Sequence, residues 1–201
     1  MSRGLPRPAY PLWVTAPCTA FVAVLVPVYW QHYGPANFLW FSDIALFAVL
    51  VTLWTGNRIL PSMMAVGVLP FEILWVVDFV TGASLLGLTA YMFDESLPLF
   101  LRLLSLFHLA MPPLLLWMLV RQGYDRRALL AQTLVAWLVL PLSWLFGTPE
   151  DNINWVYGPG EEPQTMVPPL VYLGLYMALL PIAVHLPMHA LIRRMFRRPA
   201  E

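Results

Sequence analysis

Apolar runs long enough to cross a lipid bilayer follow one another along this chain, separated by short polar or charged connections. A membrane helix needs about 20 mostly apolar residues. The runs 11–30, 37–55, 60–80, 97–120, 129–146 and 168–192 approach or exceed that length. A further run, 82–93, would make a helix of only roughly 18 Å, short of a ~30 Å hydrocarbon core. The pattern predicts one all-α domain, a polytopic transmembrane bundle of six spans, with 82–93 as a short interfacial or re-entrant helix. Arg3 and Arg7 precede the first run as they would in a signal peptide, but no small-residue cleavage site follows. Residues 11–30 are therefore read as an uncleaved span. Tyr29, Trp30 and Tyr33 suit an interface at its far end.

Composition agrees: 60% of residues are hydrophobic, 11% are charged, and mean hydropathy is +0.70. Soluble domains run about 45–50% apolar and about 25% charged. Formal net charge is zero, which gives no basis for a nucleic-acid partner; the expected partners are membrane lipids. Every basic residue is an arginine, and their placement chooses the topology. Six spans put Arg3/Arg7, Arg58, Arg121/Arg126/Arg127 and Arg193/Arg194/Arg197/Arg198 on one side. Asp94, Glu95, Glu150, Asp151, Glu161 and Glu162 fall on the other. Seven spans would move the turn after Val120 and the basic tail outside, against the positive-inside rule. Both termini are thus expected in the cytoplasm of a bacterium, with the bundle in its inner membrane. The single cysteine, Cys18, excludes a disulfide framework and a cysteine-based zinc cluster.

The candidate chemistry lies in polar residues within these runs. A carboxylate at a helix centre in lipid costs roughly 2.5–3.5 kcal/mol on insertion scales, so such groups mark functional sites or buried partners. The six-span topology places Ser42 and Asp43 roughly 8–9 Å below the outer end of the second span, and His108 roughly 16 Å down the fourth. Asp78 falls near the same outer surface, with Glu72 deeper. These five residues are expected to share a cavity in the outer half, its mouth covered by Asn152, Asn154, Trp155 and Tyr157. Ser42 would supply an oxygen nucleophile, His108 a general base, and Asp43 or Asp78 a carboxylate that orients the imidazole. The plain alternative is that these groups only pair across helices, or that they conduct protons or a solute.

His185 and His189, with Pro187 between them, raise a third reading. With His108 they would make a three-histidine zinc site like that of the membrane hydrolases related to alkaline ceramidases and adiponectin receptors. Depth opposes it, since the pair lies near the cytoplasmic face. No metal or other cofactor is therefore expected. Proline is frequent within the spans, as at Pro112, Pro113, Pro141, Pro181 and Pro187, and frees backbone carbonyls that neighbouring helices or water must satisfy.

Three patches carry a resemblance. They are Leu39-Trp40-Phe41-Ser42-Asp43-Ile44-Ala45, Leu106-Phe107-His108, and Asn152-Ile153-Asn154-Trp155-Val156-Tyr157-Gly158 followed by Pro163 and Tyr172-Leu173-Gly174. Together they resemble the YwaF-type bacterial membrane proteins and, more distantly, the androgen-induced-gene lipid hydrolases. The resemblance implies a lipid hydrolase or acyl transferase, with the family's histidine on His108 and its cysteine position on Ser42. Trp40 stands where the YwaF-type motif has histidine, and the site has no cysteine. Serine can replace threonine or cysteine as the nucleophile.

Overall fold

A computed structural model describes residues 8–160 and 162–196. Arg3, Arg7, Glu161, Arg197 and Arg198 lie outside the described residues. Those described form helices and connecting turns, with no strand among them. The helices are α1 (Leu12–Tyr33), α2 (Phe41–Thr55), α3 (Ile59–Gly67), α4 (Leu69–Val80), α5 (Leu99–Leu104), α6 (Phe107–Gln122), α7 (Ala128–Phe146), α8 (Pro169–Leu180) and α9 (Leu186–Met195). Four stretches, Leu12–Tyr33, Leu99–Gln122, Ala128–Phe146 and Pro169–Met195, are long and apolar enough to cross a membrane. The bent pair α3–α4 makes a fifth if taken as one span, and α2 is a shorter apolar helix. Large apolar side chains such as Leu130, Leu138 and Ile182 stand exposed on the outside, as a lipid-facing surface requires. The chain is an α-helical integral membrane protein.

The span expected over 60–80 is broken. Pro70 has no N–H for the carbonyl of Val66, and its ring clashes there. The helix stops at Gly67 and restarts at Leu69 with Pro70 in its first turn, where proline fits. The two halves meet at 56°. Residues 82–93 form no helix beyond a 3-10 turn at Ala90–Met92, which corrects the short helix expected there. Positive φ at Gly82, Ala83 and Gly87 turns this stretch into a folded loop. In the last span, Pro187 likewise lacks an N–H for Ala183, and the ladder slips to a π-turn over Pro181–His185.

The α3 helix is the middle of the bundle. Pro61 to Gly67 are all buried, packed among α2, α4, α6, α7 and α9. Ser62, Ala65 and Gly67 are small enough to admit such close neighbours. The side chain of Gln132 lies directly against the Gly67 backbone, where a Cβ would stand.

At one end of the bundle, the loop between α6 and α7 docks on the start of α3. The Asp125 N–H donates to Ser62 Oγ at 3.0 Å. Arg127 donates to both Asp125 oxygens, at 3.1 and 2.8 Å, and Arg58 stands 3.6 Å away. The Arg127 hydrogen bonds, followed by Coulomb attraction, depress the Asp125 pKa from 3.8 to about 2. Arg58, Arg121, Arg126, Arg127, Arg193 and Arg194 gather at this arginine end, while Arg102 lies at the other.

Gly67→Ala is expected to overpack the α3–α7 contact, lowering stability by about 1–3 kcal/mol. The additional change Gln132→Ala should restore much of the loss. Thermal unfolding of the four-member cycle in detergent reads this; equal losses with and without Gln132 would contradict it. For Asp125, whose folded pKa lies below its unfolded value, the stabilisation is present above about pH 4 and lost as pH falls toward 2. Asp125→Asn should therefore lower the melting temperature at pH 6 and flatten its acid slope between those values.

Candidate functional site

At the end opposite the arginine cluster, a cavity of about 570 Å³ lies beside the bend between α3 and α4. Ser42 and Asp43 line it from the first turn of α2, Glu72 from α4, and His108 from α6. Four of the five expected intramembrane residues therefore meet at one cavity. Asn37, Trp40, Tyr91 and Ser105 add polar and aromatic walls, and Glu150, Asp151, Asn154 and Trp155 border it from the loop before α8.

The imidazole is held on three sides. Its Nδ1 donates to Glu72 Oε2 at 2.8 Å. Trp75 and Phe107 sandwich the ring, with centroids at 4.5 and 4.2 Å and near-parallel planes. Holding the proton on Nδ1 leaves Nε2 as the free basic nitrogen, on a residue that lines the cavity. The orienting carboxylate is thus Glu72, which corrects the expectation of Asp43 or Asp78. Ser42 shares the cavity but no hydrogen bond joins it to His108. A general base works within about 2.6–3.2 Å of its proton donor and often stands farther in an empty site.

Asp43 is buried, at 2% exposure. Asn37 Nδ2 donates to its Oδ2 at 3.3 Å, while its Oδ1 is buried with no partner. Its place in the first turn of α2 is favourable for a negative charge. That helix start is fixed from a distance. Asn154 accepts from the Phe41 N–H at 2.9 Å and donates to the Leu39 carbonyl at 2.7 Å and to Ser143 Oγ at 3.0 Å.

Asp78 does not face the cavity. Its Oδ1 accepts from the N–H groups of Leu86 and Gly87, and its Oδ2 from the N–H and hydroxyl of Thr89, at 2.7–3.3 Å. A fully buried carboxylate with four donors is a loop anchor, which removes it from the expected catalytic set. The loop it folds supplies Leu88 and Tyr91 to the cavity wall. Burial pushes the Tyr91 phenol up to about 12, so it stays neutral while accepting from Trp75 Nε1 at 3.2 Å.

Of the four residues expected over the mouth, Asn154 and Trp155 line the cavity and the other two tie the loop. Asn152 donates to the carbonyls of Gly158 and Gly160 and accepts from the Tyr157 N–H, all at 2.9 Å. Tyr157 donates to the Trp144 carbonyl at 2.8 Å. Positive φ at Asn152, Asn154 and Trp155 is the backbone form of this knot; asparagine tolerates it best of the three.

The three histidines of the zinc reading go to separate partners. Thr133 Oγ spends its proton on the Leu129 carbonyl, so His185 Nδ1 donates to it at 3.1 Å. His189 hydrogen-bonds Tyr124 at 2.6 Å, and His108 is bound to Glu72. Among the described residues no three His, Cys, Asp or Glu side chains are grouped to hold a metal ion. Sequence reasoning passed over Asn37, Tyr91 and Ser105, and only for Ser105 was there a signal: it lies one helical turn before His108.

Comparison with protein-family models, curated proteins and solved structures finds no match. The resemblance to YwaF-type proteins therefore rests on the three patches. All three border the cavity, with the first and third joined by Asn154.

Asp78→Asn should release part of the loop, costing about 1.5–3 kcal/mol through the loss of charge-assisted bonds. Hydrogen–deuterium exchange at Leu86 to Thr89 is expected to accelerate by roughly tenfold or more, while exchange in α3 stays slow. Unchanged protection of that segment would show that Asp78 does not anchor it.

Proposed function

We propose that the protein is a lipid-directed hydrolase or acyl transferase of a bacterial inner membrane, with its cavity opening toward the outer leaflet. The observation that carries the reading is the Glu72–His108 pair, which fixes an imidazole by Nδ1 and leaves Nε2 for the cavity. The gathering of described arginines at the opposite end supports cytoplasmic termini by the positive-inside rule. It also supports counting α2 and the bent α3–α4 pair as spans, six in all.

In this mechanism Ser42 Oγ attacks the carbonyl carbon of a lipid acyl ester while His108 Nε2 takes its proton. Collapse of the tetrahedral intermediate expels the alcohol, which receives that proton from Nε2. The acyl-serine then passes its acyl group to water or to another lipid alcohol, with Nε2 accepting the proton of the attacking oxygen and returning it to Ser42 Oγ as the acyl–serine bond breaks. Glu72 stabilises the imidazolium formed in each half. A second reading, proton or solute translocation, is favoured by the unpartnered oxygen of Asp43.

A serine-reactive fluorophosphonate probe separates the two. Labelling of purified, folded protein is expected on Ser42, to vanish in Ser42→Ala and to slow by about 10²–10⁴-fold in His108→Ala. Glu72→Gln should give an intermediate rate. Folded protein that never labels would defeat the hydrolase and leave translocation.

A further inference from the structure

The charges around the cavity are of one sign. Asp43, Glu72, Glu150 and Asp151 line it, and among the described residues no arginine or lysine does. Among the described residues lining it, His108 is the group able to become a cation, and it is already committed to Glu72. Arg102, the described arginine at this end, does not reach these carboxylates: its Nη1 donates to the Met92 carbonyl at 3.2 Å. Among the described residues Asp43 has Asn37 as its one hydrogen-bond partner and a buried oxygen with none. Such a carboxylate is expensive to keep charged in an apolar surround, and a counter-charge offsets that cost.

The remaining wall is rich in aromatic rings, among them Tyr29, Tyr33, Trp40, Tyr91 and Trp155. Aromatic walls around a carboxylate suit an ammonium group, which gains from ring quadrupoles as well as from the charge. A free phosphate or fatty acid, with no ammonium of its own, would meet like charge and no cationic partner. The volume, about 570 Å³, leaves space for an apolar substituent beside the charged group.

From this we infer that the cavity recognises an organic ammonium ion bearing an apolar substituent, with Asp43 as its counter-ion. The inference concerns the substrate class of the site proposed above and rests on that site's being the functional one, though not on the Ser42 chemistry. Two sources share this chemistry: a free amphiphilic amine, and the ammonium of a zwitterionic lipid headgroup.

The test uses the full chain in lipid nanodiscs, with benzyltrimethylammonium as the probe cation and benzoate as the probe anion. Binding is read by tryptophan fluorescence and calorimetry. Saturable cation binding is expected, weakened by roughly tenfold or more in Asp43→Asn and unchanged in Asp94→Asn, which lies outside the cavity wall. Benzoate should not compete. Where Asp43→Asn does not fold, the rim pair Glu150→Gln and Asp151→Asn serves instead, and should weaken cation binding and reduce its salt dependence. Weaker apparent cation affinity in phosphatidylcholine discs than in discs of an uncharged glycolipid assigns the site to a lipid headgroup. Equal affinity assigns it to a free amine. Absence of cation binding, benzoate binding as well as the cation, or indifference to the carboxylate variants would overturn the inference. Fluorophosphonate labelling that persists in that case would leave the hydrolase standing, while cation binding without labelling would leave only this inference.

Discussion

The break between Gly67 and Leu69 is the constraint on which the rest of the structure depends. A straight helix over 59–80 would carry α4 along the direction of α3, the most enclosed element of the bundle. Pro70 forbids that continuation because it cannot donate to Val66 and its ring displaces the carbonyl there. The chain turns by 56°, and α4 leans against α6. Only from that position does Glu72 meet His108 and Asp78 meet the loop beyond Val80. The bend also leaves the space that becomes the cavity. One missing N–H in the backbone therefore sets where two buried carboxylates go.

In lipid, each polar group must find its partner inside the protein, and most here do so. Thr52 and Thr133 return their hydroxyls to their own helices, Asp78 takes four donors, and Asn154 satisfies the start of α2. The exceptions among the described residues, which also include Tyr10 Oη, Arg102 Nε and Trp144 Nε1, differ in kind. Gln132 Oε1 and His185 Nε2 are buried without partners between packed helices. Asp43 Oδ1 is also unpartnered, but its residue lines a cavity. An unsatisfied atom inside packing is a local cost; one on a residue that lines a space large enough for a ligand marks where binding would supply what folding did not.

The order and extent of the helices were readable because lipid imposes a length and a polarity that few other environments require. Helix interruptions were less so. Prolines marked the places, but whether Pro70 bends a span and Pro112 and Pro113 do not depends on what packs beside them. The same holds for the site. Depth along each span correctly brought Ser42, Asp43, Glu72 and His108 to one region. Depth says nothing of azimuth, and the faces of α4 decide that Glu72 looks at α6 while Asp78, six residues on, looks at its own loop. Residues 82–93 were misread because an apolar run of that length fits a short helix as well as a folded loop; the deciding carboxylate lay outside the run. Asn152 and Tyr157 looked like binding groups for a related reason. A polar loop before a span can face a ligand or knot itself, and only the positive φ angles separate the two.

The two ends of the bundle handle carboxylates in opposite ways, and the contrast bears on function. At the arginine end Asp125 is met by two guanidiniums and a backbone N–H, so nothing is left for a ligand to offer. At the cavity end four carboxylates border one space, and the available guanidinium is turned to a carbonyl of the neighbouring loop. Arginine could serve there, since Arg102 stands only six residues before His108 on the same apolar stretch. That it does not leaves a membrane-embedded pocket with negative charge, aromatic walls and a fixed imidazole. A purely structural role for these residues would be met more cheaply by pairing them, as Asp125 is paired. An open, incompletely paired arrangement is what a site for a positively charged guest requires.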